Sequence, residues 1–92
     1  MGIYKTIEAE NTFTDWKLFT NNRSVDVSVS GVSDSTVTLQ RKFSKYSSEI
    51  LDVNYWYADE ETYFNVATTA YYRIGIKTGD YGTDTVKVRL EV

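Results

Sequence analysis

The sequence predicts an all-β fold: a small antiparallel β-sandwich or jelly roll of about seven strands. Three observations predict it. Apolar and polar residues alternate with period two along much of the chain; Val, Thr and eight Tyr are prominent in the composition; and no stretch carries a convincing helical period. Short strands spaced about 8–12 residues apart, with turn residues between them, form the pattern of sandwiches and jelly rolls. At 92 residues the chain is one domain. A folded chain of this size exposes about 5,500 Å², burying roughly 64% of its unfolded surface.

Residues 1–11 precede the first alternating stretch and read as an N-terminal arm ahead of a single domain over 12–92. The apolar Ile3, Tyr4 and Ile7 of that arm are expected to dock onto a neighbour or onto the domain's own open edge. A first strand falls near 13–19. Residues 23–30 follow, with Val25, Val27 and Val29 on one face and Ser24, Asp26 and Ser28 on the other. Residues 35–43 repeat the device with Val37, Leu39 and Phe43 inward. The intervening Gly31, Ser33 and Asp34 have the chemistry of a hairpin turn, so these two strands are expected to pair. Residues 49–57 place Leu51, Val53, Tyr55 and Tyr57 on one parity, and 63–66 is a short apolar run. The clearest alternation lies in 70–77, with Ala70, Tyr72, Ile74 and Ile76 inward, and in 83–92, with Val86, Val88, Leu90 and Val92 inward. The turn Thr78-Gly79-Asp80-Tyr81-Gly82 makes a second hairpin of these last two. Proline is absent, so edge strands must be protected by charge, by short length or by pairing with another chain.

Absent residues narrow the chemistry. Without Cys there is no disulfide, no thiolate metal site and no cysteine nucleophile; without His the commonest general base and metal ligand are missing. No cofactor, metal or catalytic residue is expected. The net charge of −3 argues against a nucleic-acid surface, because such affinity comes from neutralising phosphates. No apolar run is long enough to span a bilayer, and the opening residues lack the apolar core of a signal peptide, so the chain reads as made in a cytoplasm.

Two acidic clusters have ordinary explanations. Asp59-Glu60-Glu61 reads as a solvated corner, since consecutive residues do not converge on one point. Asp80-Tyr81-Gly82-Thr83-Asp84 has alternating oxygen ligands but lacks the later bidentate Glu of a full calcium loop, and turn chemistry accounts for it. The short matches to a myristoylation pattern at Gly2 and a glycosylation sequon at Asn22 have no supporting context. Arg41, Lys42 and Lys45 form a charged rim.

The aromatic residues are the informative feature. In Tyr55-Trp56-Tyr57, Tyr63-Phe64 and Tyr71-Tyr72, neighbouring rings on a strand point to opposite faces, so some must reach a surface. Exposed rings suit protein interfaces or stacking on sugars. Parity with Leu51 and Val53 sends Tyr55 and Tyr57 inward and Trp56 outward, while Trp16 is assigned to the core. The candidate interface residues are Ile3, Tyr4, Ile7, Trp56 and Tyr71.

Three segments carry a resemblance: Val37-Thr38-Leu39-Gln40-Arg41, Tyr72-Arg73-Ile74-Gly75-Ile76-Lys77-Thr78-Gly79-Asp80-Tyr81, and Val86-Lys87-Val88-Arg89-Leu90. Over roughly residues 36–92 the chain resembles small virion structural proteins of tailed bacteriophages. It departs from their pattern at Ser44-Lys45-Tyr46-Ser47-Ser48, where a Gly-Gly-Thr-Trp-like hairpin is expected. The resemblance implies a small sandwich of the capsid-decoration or accessory kind, located in the virion. Its expected partners are the major capsid protein or other virion proteins, with a homo-oligomer as a further possibility. The alternative is a carbohydrate-binding module with Trp and Tyr platforms, or another small β-sandwich binding module such as a tail or fibre accessory protein.

Overall fold

The computed structural model describes residues 2–92, which contain no helix. Their strands are β1 (Gly2–Ile7), β2 (Thr12–Phe13), β3 (Lys17–Phe19), β4 (Ser24–Ser30), β5 (Val37–Lys42), β6 (Leu51–Trp56), β7 (Glu60–Asn65), β8 (Ala70–Ile76) and β9 (Val86–Glu91). A four-stranded sheet has the order β1-β9-β4-β7. A five-stranded sheet has the order β2-β8-β5-β6, with β3 also paired to β8. Every pairing is antiparallel. The fold is thus the all-β sandwich that alternation predicts, with nine strands in place of about seven, and its accessible surface is 5459 Å².

The core follows from period two. Val25, Val27 and Val29 of β4 and Val86, Val88 and Leu90 of β9 supply one wall, and Val37, Leu39, Ala70, Tyr72, Ile74 and Ile76 supply the other. The Tyr72 ring sits 4.8 Å from Phe64 and 6.1 Å, edge-on, from Phe19, joining the two sheets at one end. Each such aliphatic side chain contributes about 1.5–3 kcal/mol by leaving water, which makes the alternation the main source of stability.

Three expectations from sequence need correction. The arm is an integral strand, docked on the domain's own edge, which is one of the two places expected for it: residues 2–7 pair along their whole length with β9, from Gly2 opposite Glu91 to Ile7 opposite Val86, and Ile7 is fully buried. Its sequence hides this because Tyr4, Lys5 and Thr6 are all exposed, as an edge strand allows. Neither predicted hairpin forms. β4 pairs with β7 and β9 whereas β5 pairs with β6 and β8, so residues 31–36 cross between sheets, as do residues 77–85 between β8 and β9.

The two crossings hold each other. The Asp84 carboxylate accepts from the Ser33 and Asp34 amides at 2.9 and 3.0 Å and from the Ser33 hydroxyl. In return the Asp34 carboxylate accepts from the Thr83 amide and hydroxyl, and the Gly82 amide donates to Ser35 Oγ. These bonds pull the Asp84 pKa well below the usual carboxylate range, the Ser33 hydroxyl contributing most. The residues that looked like calcium ligands or turn formers therefore lock two loops together. Gly31, at φ 82°, makes the bend, and a Cβ there would meet the Thr85 carbonyl.

Candidate functional site

The outer face of the five-stranded sheet carries a continuous polar and aromatic surface. Register places Gln40 opposite Arg73 and Asp52, and the three are wired together. Arg73 Nε donates to Gln40 Oε1 at 2.8 Å, and Gln40 Nε2 donates to Asp52 Oδ1 at 2.9 Å. Lys77 Nζ closes the row on Asp52 Oδ2 at 2.7 Å. The Lys77 and Gln40 bonds hold the Asp52 carboxyl below its ordinary pKa, and the same ion pair raises that of Lys77. Beside this row, Arg73 lies over both Phe13 (4.1 Å) and Trp16 (4.6 Å), and Lys42 Nζ lies 4.6 Å from the Trp16 ring centre. Gly75 makes room for that stack, since a Cβ there would strike the Phe13 backbone and ring.

Trp16 is accordingly not in the core. It is half-buried on this outer face, because the link between β2 and β3 interrupts the strand parity; there Thr14 N donates to the Ile74 carbonyl and Thr14 Oγ1 accepts from Ile74 N. Phe19 occupies the buried position instead. Tyr71 is half-buried beside Leu18 and Lys42.

The parity of β6 is also the reverse of expectation. Leu39 pairs with Asn54 but Gln40 pairs with Asp52, so Val53 is an extra residue at a bulge. The bulge switches faces: Trp56, opposite Val37, turns inward against the core, while Tyr55 and Tyr57 point out. Their rings meet edge-on at 5.2 Å, and hydrogen bonding to Tyr55 raises the Tyr57 phenol pKa. They line a shallow groove of ≈ 540 Å³ with Thr38, Asp52, Lys77 and Asp80. Of the five interface candidates only Tyr4 is freely exposed, at 79%; Ile7 is sealed, and Ile3 and Trp56 pack on the core.

Sequence reasoning missed the main concentration of apolar surface. Of eleven exposed large hydrophobic residues among the described ones, seven lie between 43 and 57: Phe43, Tyr46, Ile50, Leu51, Val53, Tyr55 and Tyr57. They cover edge strand β6 and the loop before it, with Tyr46 88% exposed. The available signal was that residues 50–57 carry apolar side chains on both parities, which a strand with one wet face does not do. Behind β6, a cavity of ≈ 180 Å³ opens between the sheets beside Trp56, Phe64 and Tyr72, and the Arg41 Nε on its wall is buried without an acceptor. The acidic corner does not converge: Asp59 accepts from the Val32 amide and Glu61 from the Ser28 hydroxyl. Compared with known proteins, the chain matches no family model, no curated protein and no solved structure.

Proposed function

We propose that this protein is a non-enzymatic virion structural protein of a tailed bacteriophage that binds the assembled capsid shell through β6 and the loop before it. The observation that carries this reading is the clustering of seven exposed large hydrophobic residues within residues 43–57. Scattered singly, such residues are normal; gathered on one flank, they form a surface whose burial drives association. β6 is also a sheet edge with unpaired backbone groups, so a shell subunit can add a strand there while its side-chain pockets take Leu51, Val53 or Tyr55. The resemblance of residues 36–92 to phage virion proteins supplies a virion surface as partner, and of such surfaces the capsid shell is the one proposed. Many weak copies on a repeating lattice then hold by avidity wherever shell geometry lets them engage together.

A second reading rests on the groove beside Tyr55 and Tyr57. Exposed rings next to Asp52, Lys77 and Asp80 offer a stacking surface plus fixed hydrogen-bonding groups, which is what a sugar ring requires. Co-sedimentation with assembled capsids, run beside a glycan array, separates the two. The capsid reading expects wild-type protein in the shell pellet and loss of that binding in the folded double variant Tyr46→Ser, Leu51→Ser. Glycan binding abolished by Tyr55→Ala, without shell binding, overturns it.

A further inference from the structure

We propose that a second copy of this chain docks its β1 edge against the β7 edge, so that copies add head to tail into one continuous antiparallel sheet. This contact uses the four-stranded sheet and does not depend on what the β6 flank binds. Direction comes first. Along β1-β9-β4-β7 each neighbour is antiparallel, so β1 and β7 run in opposite directions. A neighbour placed beside β7 without rotation therefore presents its β1 antiparallel, ready for a ladder.

Length and register then agree. Both edges are six residues long, and the one register that overlaps them fully sets Gly2 opposite Asn65 and Ile7 opposite Glu60. In that register Tyr4 falls opposite Tyr63, two outward rings exposed by 79% and 61% in the single chain. Ile3 falls opposite Phe64, and each is a half-buried residue packed at an open margin of the core. A shift of one residue would set inward side chains against outward ones, so this ladder has a defined register.

Charge selects this pairing over its alternatives. The β1 margin carries a net positive charge: Lys5 on the strand, with Lys87 and Arg89 exposed on adjoining β9, lines a shallow groove with Tyr4, against the single half-buried Glu91 opposite Gly2. The β7 margin is acidic, through Asp59, Glu60 and Glu61. Head-to-tail contact sets Thr6 opposite Glu61 and Lys5 diagonal to Glu60. Pairing β1 with a second β1, or β7 with a second β7, would instead bring two basic or two acidic margins together, a like-charge contact that disfavours those partners. Neither edge carries a proline or a bulge that would block a further strand. Because the contact is heterologous, each added copy leaves a free edge, and the assembly grows until it closes into a ring or continues as a filament.

The test uses the absence of cysteine. Tyr4→Cys and Tyr63→Cys are made separately, at exposed positions, and folding is checked by circular dichroism. Within one chain the two sites lie three strand spacings apart, about 14 Å, too far for a disulfide. Across the proposed contact they are direct cross-strand neighbours, with Cβ atoms about 4.5–5.5 Å apart. Under mild oxidation, the mixture of the two variants should give disulfide dimers that neither gives alone, and the double variant should give a ladder of higher oligomers. Salt near 1 M, where the Debye length is about 3 Å, should lower the yield. No excess of dimer in the mixture, or equally strong cross-linking of one variant alone, overturns the proposal. Capsid co-sedimentation of the same variants, whose residues 43–57 are unchanged, is scored separately and reports only on the shell reading.

Discussion

At the residue scale, one tryptophan and one aspartate show how position overrides residue type. Trp16 is a large apolar ring flanked by charged neighbours, which invites a core assignment; the structure makes it a lid clamped between Arg73 and Lys42. Its loss removes two cation–π contacts and part of one ring's burial, so Trp16→Ala is expected to cost about 2 kcal/mol. Phe19→Ala, at a buried position, is expected to cost about 3–5 kcal/mol. Urea melts of the two variants check the order. Asp84 gives a pH prediction. Its folded pKa lies below the unfolded value of about 3.9, because Ser33 and Asp34 donate to the ionised form. The clamp's stabilisation is therefore fully present above that pH and is lost as pH falls through the folded value. Wild-type stability should drop below about pH 4 more steeply than that of Asp84→Asn. At neutral pH the variant should already be the less stable of the two, because its neutral amide oxygen is a weaker acceptor for the Ser33 and Asp34 N–H groups and its NH2 replaces the oxygen that accepts the Ser33 hydroxyl.

At the element scale, strands were legible where one face is buried and the other wet. β4, β8 and β9 alternate cleanly because each lies inside a sheet, and the residues expected inward within them are buried; Val92, expected inward with β9, lies past the end of that strand and is exposed. Edge strands were harder to read. β1 passes for an arm because three of its six residues are exposed, and β6 misleads because the bulge at Val53 reverses parity within a single strand. Pairing was not legible at all: Gly and Asp mark a bend, but the same residues serve a hairpin and a crossing between sheets. The candidate site was missed for related reasons, since Arg73, Phe13 and Trp16 meet only through pairing with β8. The strand status of β1 carries its own prediction. Removing residues 2–7 exposes the β9 edge and deletes Ile7 from the core, so the truncated chain should lose its cooperative thermal transition. Ile7→Ala alone should cost about 2–5 kcal/mol in a urea melt. A truncated chain that melts like the wild type would return this segment to the status of an arm.

At the scale of the whole molecule, connectivity sets how the fold is reached. Among the described residues, β5 with β6 is the one ladder between strands consecutive in sequence; β1 waits for β9, β4 for β7 and β9, and β5 for β8. Loop-closure entropy must be met before these distant pairings return any stabilisation, and all-β folds of this kind cross their barrier in milliseconds to seconds, where helical bundles of similar length take microseconds to milliseconds. The absence of proline acts in the opposite sense, because no X–Pro bond has to isomerise after the chain unfolds. Refolding should therefore be slow for a chain of this size and yet kinetically simple. Trp16, on the outer face, and Trp56, against the core, report on two parts of the five-stranded sheet. Stopped-flow fluorescence after dilution from urea should show one exponential with its full amplitude recovered within seconds. A further phase of tens of seconds has no proline to explain it. Were it to grow with protein concentration, it would report association between copies, as the β1–β7 contact predicts; a concentration-independent slow phase would contradict the kinetic scheme.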